Sequence, residues 1–195
     1  MATSRQDIPD LQFTPLSPAI GVAIGGIDLR QELDPDVVAE IRRAWCDNSI
    51  MLIRGQNLTE EDQLRFARTL GNIAPRSRAP VERRSYVPDP DNPMHLVTDC
   101  VDDQGRRLGS LGHGEMWFHT DKFYEERPHR ASLLYALEIP SSGGETKFAS
   151  LYRAYDQLPA TLKEKLEGRR VLQIYDFTTA EPAVTGDRLE ELMHC

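Results

Sequence analysis

Trp117-Phe118-His119-Thr120-Asp121, followed downstream by Gly143-Gly144-Glu145-Thr146, is the stretch on which the reading of this chain turns. His119 and Asp121 are an imidazole and a carboxylate two residues apart, two of the three ligands of a 2-His-1-carboxylate iron site. Such a site keeps coordination positions open. In a strand, residues i and i+2 point to the same side, so His119 and Asp121 could face one metal with Thr120 turned away. The ligand types suit Fe(II) but also Mn and Zn, and do not choose among them. Taken alone, the pair is more simply a surface pair or a core histidine bonded to a carboxylate. Thr146, taken alone, is an ordinary β-branched strand residue.

Outward from this stretch the chain reads as a mixture of strands and helices. Ala19 to Leu29, broken by Gly21, Gly25 and Gly26, suggests strand and turn. Asp34-Pro35 offers an N-cap and a first-turn proline, and Val37, Val38, Ile41, Ala44 and Trp45 follow at helical spacing, predicting a helix over 35–47. Ser49 to Ile53 reads as a short buried strand. Thr59-Glu60-Glu61-Asp62 resembles a capping box; Leu64, Ala67 and Leu70 continue its helix, and Gly71 stops it. Prolines and arginines from Ala74 to Asp91 argue for a long loop, and loops of that length are often functional lids. Met94 to Asp99 suggests a strand, and the four glycines of Asp102 to Gly114 a flexible approach to the His119 motif. Ala131 to Ile139 is the strongest strand pattern, ended by Pro140. Gly143-Gly144 then turns the chain into a second strand, Glu145 to Ala149. Ser150 caps a helix carrying Leu151, Tyr155 and Leu158, Thr161 to Leu166 is helical, and Val171 to Phe177 reads as one more strand. The expected class is α+β.

With 195 residues and no linker, low-complexity tract or repeat, a single domain over 1–195 is expected. Hydrophobic residues at 39% and charged residues at 28% suit a soluble globular chain. A net charge of −8 argues against a general nucleic-acid binder. No apolar run approaches a membrane span, and Met1 to Asp10 lacks a signal-peptide core. Cys46, Cys100 and Cys195 are isolated, which suits a reduced, cytoplasmic protein without disulfides.

Several quoted segments, in order, carry a family resemblance. They are Ile20-Gly21, Gly26-Ile27-Asp28-Leu29, Met51-Leu52-Ile53-Arg54-Gly55-Gln56, Phe66-Ala67, Leu70-Gly71, the run Trp117 to Tyr124, Arg127-Pro128, Leu133 to Pro140, Gly143 to Ala149 and Ala154 to Leu158. Over about residues 15–175 the chain resembles the TauD/TfdA family of Fe(II)- and 2-oxoglutarate-dependent dioxygenases. That resemblance implies a double-stranded β-helix, a jelly-roll-like core with flanking helices. It implies Fe(II) on His119 and Asp121, 2-oxoglutarate contacted by the Thr146 hydroxyl, and O₂ with a small organic substrate as the other reactants. It also implies oxidative decarboxylation of the cosubstrate coupled to hydroxylation of the substrate. For Trp117 and Phe118, packing beside the site is the preferred reading.

The chain departs from the family at its end. The family's distal histidine and the arginine that binds 2-oxoglutarate lie beyond Cys195, so the barrel is expected to be incomplete at the C-terminus. An open edge invites pairing with another chain, which makes a homo-oligomer an expectation. His194 is a poor substitute ligand near a fraying terminus. His95, His113 and His129 read as surface histidines. Asn72 to Arg78 lacks the histidines by which taurine dioxygenases hold the sulfonate, which speaks against taurine. Arg76, Arg78, Arg83 and Arg84 could attract an anionic substrate, although a solvated basic loop accounts for them more simply. The alternative reading is a catalytically inactive truncated relative acting as a binding or assembly module.

Overall fold

Strand β1, Gln12–Pro15, runs antiparallel to β2, Val22–Gly25, with Phe13 opposite Ile24 and Thr14 opposite Ala23. The hairpin between them closes through Leu16 N–H donating to the Gly21 carbonyl at 2.9 Å. Gly21 sits at a φ of 93°, which favours glycine. β2 also pairs in parallel with β3, Met51–Leu52, so the sheet order is β1-β2-β3. Parallel neighbours need a crossover connection, and helix α1, Pro35–Asn48, provides it. Helix α2, Glu60–Leu70, follows β3, and α3, Leu151–Asp156, and α4, Ala160–Leu166, lie far downstream. This computed structural model describes residues 10–74, 93–94, 96–98, 100–105, 108 and 118–173.

The elements start where their sequences dictate. The Asp34 carboxylate accepts from Asp36 N–H at 2.8 Å and Pro35 occupies the first turn, where its missing N–H costs nothing. In α2 the capping box is complete: Asp62 N–H donates to Thr59 Oγ1 at 3.2 Å, and Thr59 N–H donates back to Asp62 Oδ2 at 3.0 Å. Gly71 ends that helix, its N–H donating to the Ala67 carbonyl. Ser150 caps α3 as its sequence suggests, accepting from Arg153 N–H.

The core lies between β2 and the two long helices. Val22 and Ile24 share one face of β2, Val37 and Ile41 one face of α1, and Leu29 and Phe66 close the sides; all six are buried. Burying each such side chain stabilises the fold by about 1.5–3 kcal/mol. On α2 the buried residue is Phe66, while Leu64, Ala67 and Leu70, which mark the helical stripe in the sequence, are half-buried. Polar ties brace this unit. Gln56 accepts from Leu29 N–H at 2.9 Å and donates to the Ile27 carbonyl at 3.0 Å, and Arg65 reaches the carbonyls of Leu29 and Arg30.

The downstream half differs from its sequence pattern. Ala131 to Ile139, Glu145 to Ala149 and the described part of Val171 to Phe177 form no strand, and neither do the described residues of Met94 to Asp99. Pairing defines a strand, and among the described residues these segments find no ladder partner. Between residues 118 and 173 no described residue is buried. Phe118 is 71% exposed, contrary to the expected packing, and Leu134, Leu137 and Ile139 are similarly open. His129 is half-buried, not exposed. The arginine loop after Ala74, Trp117, His95, His113 and His194 lie outside the described residues.

Candidate metal centre

His119 and Asp121 converge. Nε2 of His119 lies 3.3 Å from Oδ1 of Asp121, with both side chains about half exposed. Metal–ligand distances of about 2.0–2.2 Å put adjacent donors on one ion about 3 Å apart, so this spacing admits a shared cation. The pair meets without the strand alternation that its spacing suggests: Asp121 opens a turn, and Lys122 follows at a φ of 58°. Positive φ is costly for a residue with a Cβ, so the turn is held by its surroundings. Lys122 Nζ donates to Glu125 at 3.0 Å and lies 5.4 Å from the centre of the Tyr124 ring.

Asp121 has a second partner. Ser132 Oγ donates to Asp121 Oδ2 at 2.8 Å, so the two carboxylate oxygens face different groups. Ser132 in turn stands between two anchors to the N-terminal unit. The Arg130 guanidinium lies 5.7 Å from the centre of the Trp45 ring on α1. The half-buried Tyr135 hydroxyl accepts from Leu58 N–H at 3.0 Å and donates to the Gln56 carbonyl at 3.3 Å. Gln56 is the same residue that ties β2's exit to β3's, so the segment bearing the pair is docked beside that tie. Sequence reading missed Ser132, Arg130 and Tyr135. The links from Ser132 and Tyr135 span 11 and 77 residues, and no local pattern carries such a signal.

Thr146 is exposed in irregular chain, and among the described residues no hydrogen bond joins it to His119 or Asp121. Its approach is as the glycine pair suggests: Gly143 and Gly144 both hold positive φ, 75° and 72°, open to glycine without strain. A Cβ on Gly144 would also press on Pro140 Cγ at 3.2 Å. Among the described residues no group of three His, Cys, Asp or Glu gathers to hold a metal. Two shallow hollows of about 150 and 190 Å³ lie on the N-terminal unit, lined by residues such as Phe66 and Ile24, away from His119. No described helix is long and apolar enough to cross a membrane.

The family model for the taurine catabolism dioxygenase TauD, TfdA family matches residues 12–192. The chain belongs to the TauD/TfdA family. It is 32% identical over 161 residues to the alpha-ketoglutarate-dependent 2,4-dichlorophenoxyacetate dioxygenase of Cupriavidus pinatubonensis, covering 80% of this chain and 55% of that one. It is 30% identical over 184 residues to the alpha-ketoglutarate-dependent sulfate ester dioxygenase of Pseudomonas putida, covering 93% and 56%. To pentalenolactone F synthase of Streptomyces avermitilis it is 33% identical over 156 residues, covering 78% and 49%. Among solved structures, a Burkholderia xenovorans protein assigned as an alpha-ketoglutarate-dependent taurine dioxygenase superposes with a TM-score of 0.62 at 29% identity, covering 82% of this chain and 53% of that one. The chain thus spans about half the length of the relatives it matches. The family implies the jelly-roll fold; the described residues show a small three-stranded sheet with helices, which does not conflict with it.

Proposed function

We propose that this chain carries the metal- and cosubstrate-binding portion of an Fe(II)- and 2-oxoglutarate-dependent dioxygenase that hydroxylates a small organic substrate. The observation that carries the reading is the 3.3 Å approach of His119 Nε2 to Asp121 Oδ1 in a chain matched to this family over residues 12–192. When bound, Fe(II) with O₂ and 2-oxoglutarate supplies an oxidant strong enough for a C–H bond, the cosubstrate leaving as succinate and CO₂. His119 and Asp121 would hold the ion, which requires an unprotonated Nε2 and an ionised carboxylate. Thr146, beyond the Gly143–Gly144 turn, would donate its hydroxyl to a carboxylate of the cosubstrate and orient it. Among the described residues no third His, Cys, Asp or Glu gathers with His119 and Asp121. A single domain fits the span of the family match. The substrate class is a small organic anion: two of the relatives are named for a phenoxyacetate and a sulfate ester, both anionic.

Anaerobic titration with Fe(II) in the presence of 2-oxoglutarate tests this. The visible charge-transfer band of the chelated cosubstrate is expected, and is expected to vanish in both His119→Ala and Asp121→Ala. A band unchanged in both variants would sink the assignment. The exposed apolar side chains of residues 118–173 favour a second reading, an inactive relative that acts as a binding or assembly module. It predicts a stable oligomer by light scattering and no oxygen-dependent consumption of 2-oxoglutarate.

A further inference from the structure

We propose that Ser132 is a positioning residue for Asp121, holding its carboxylate so that Oδ1 is presented toward His119 Nε2 while Oδ2 is turned to Ser132. This rests on the assignment of His119 and Asp121 as ligands. An ionised carboxylate only accepts hydrogen bonds, so the proton in the 2.8 Å contact belongs to Ser132 Oγ. The carboxylate torsion is broad and roughly two-fold, and an exposed aspartate would sample it freely. Pinning Oδ2 to Ser132 leaves Oδ1 at 3.3 Å from His119 Nε2, where the two donors can share an ion. With Oδ2 engaged, Asp121 would offer an ion chiefly Oδ1.

The chain around Ser132 is built to hold it. Arg130, two residues before, stacks on Trp45, and Tyr135, three residues after, is hydrogen-bonded to the backbone at Leu58 and Gln56. Asp121 itself opens a turn whose next residue, Lys122, occupies positive φ. Ser132 therefore passes the position of the N-terminal core to the carboxylate, across a turn that would otherwise leave it loose. Groups that orient metal ligands from behind typically change metal affinity by 10- to 100-fold. Because this contact is exposed and competes with water, the low end applies.

Mn(II), which is redox-silent here, is the probe, and the loss of its free-ion EPR signal measures binding to the wild-type chain, Ser132→Ala, Ser132→Thr and Asp121→Ala. Ser132→Ala is expected to bind about tenfold more weakly, Ser132→Thr to recover wild-type affinity through its hydroxyl, and Asp121→Ala to lose binding. The metal-free thermal midpoint of Ser132→Ala should match wild type. If Ser132→Ala binds like wild type while Asp121→Ala does not, the positioning role is wrong and the ligand assignment stands. If Ser132→Thr is as weak as Ser132→Ala, the hydroxyl is not the agent and the role is equally wrong. If wild type and Asp121→Ala bind alike, or wild type does not bind, the ligand assignment fails and takes the positioning role with it.

Discussion

Replacing Tyr135 by Phe removes one oxygen and leaves the ring in place, which isolates the bond that docks the His119 segment on the N-terminal unit. Two hydrogen bonds are lost. Leu58 N–H, a half-buried donor, loses its 3.0 Å acceptor, and the Gln56 carbonyl loses a longer, 3.3 Å donor. An unsatisfied buried group costs about 1–3 kcal/mol; partial exposure lets water replace some of this, and the long bond adds little. The net cost is about 1 kcal/mol, about a fivefold change in the equilibrium that opens the segment. The six buried core residues do not include Tyr135, so the change should appear locally and leave the unit of β1–β3, α1 and α2 intact. Hydrogen exchange read by NMR should show the Leu58 amide, which donates to the Tyr135 hydroxyl, exchanging about fivefold faster, with the amides of α1 unchanged. Equal exchange at Leu58 in both proteins would refute the claim that Tyr135 docks the segment there. Faster exchange throughout α1 as well would show that the hydroxyl serves the core and not the docking.

Ile41 is fully buried against Val37 and β2, so Ile41→Ala should cost about 2–5 kcal/mol, a large share of a marginal fold's stability; a urea midpoint close to wild type would contradict the core described above. Acid should weaken the N-terminal unit at two carboxylates. Asp28 is held down to about 2 by its hydrogen bonds with Arg30, and Asp62 to about 2 by the Thr59 backbone N–H, then the Thr59 hydroxyl and Arg65. Both are depressed in the folded chain, so their contribution is present above about pH 4 and is lost as pH falls toward about 2. Urea midpoints across that range should fall, and the Asp62→Asn variant should flatten the fall; a level profile in wild type would rule the account out.

Local grammar in the sequence determined much of the N-terminal unit. Asp34-Pro35 and the Thr59–Asp62 box start their helices because the bonds that satisfy a helix end come from residues two or three positions away. The His119-x-Asp121 spacing and the ordered family segments likewise pointed to a metal site and to the family, since two candidate ligands and a glycine turn are short-range features. Tertiary structure decided the rest. Phe66, not the Leu64–Leu70 stripe, is buried on α2, because the neighbouring helix and sheet choose which face is covered. The apolar runs at 131–139 and 145–149 carry strand patterns yet form none among the described residues, because a ladder needs a partner that a pattern cannot supply. His119 and Asp121 meet at a turn with a positive-φ lysine and not along a strand, and Asp121 is oriented by Ser132, eleven residues away. That segment is anchored by Tyr135 to residues 77 and 79 positions earlier in the chain. Such contacts form only once separate parts of the chain have closed on one another, which is why no spacing along it announces them.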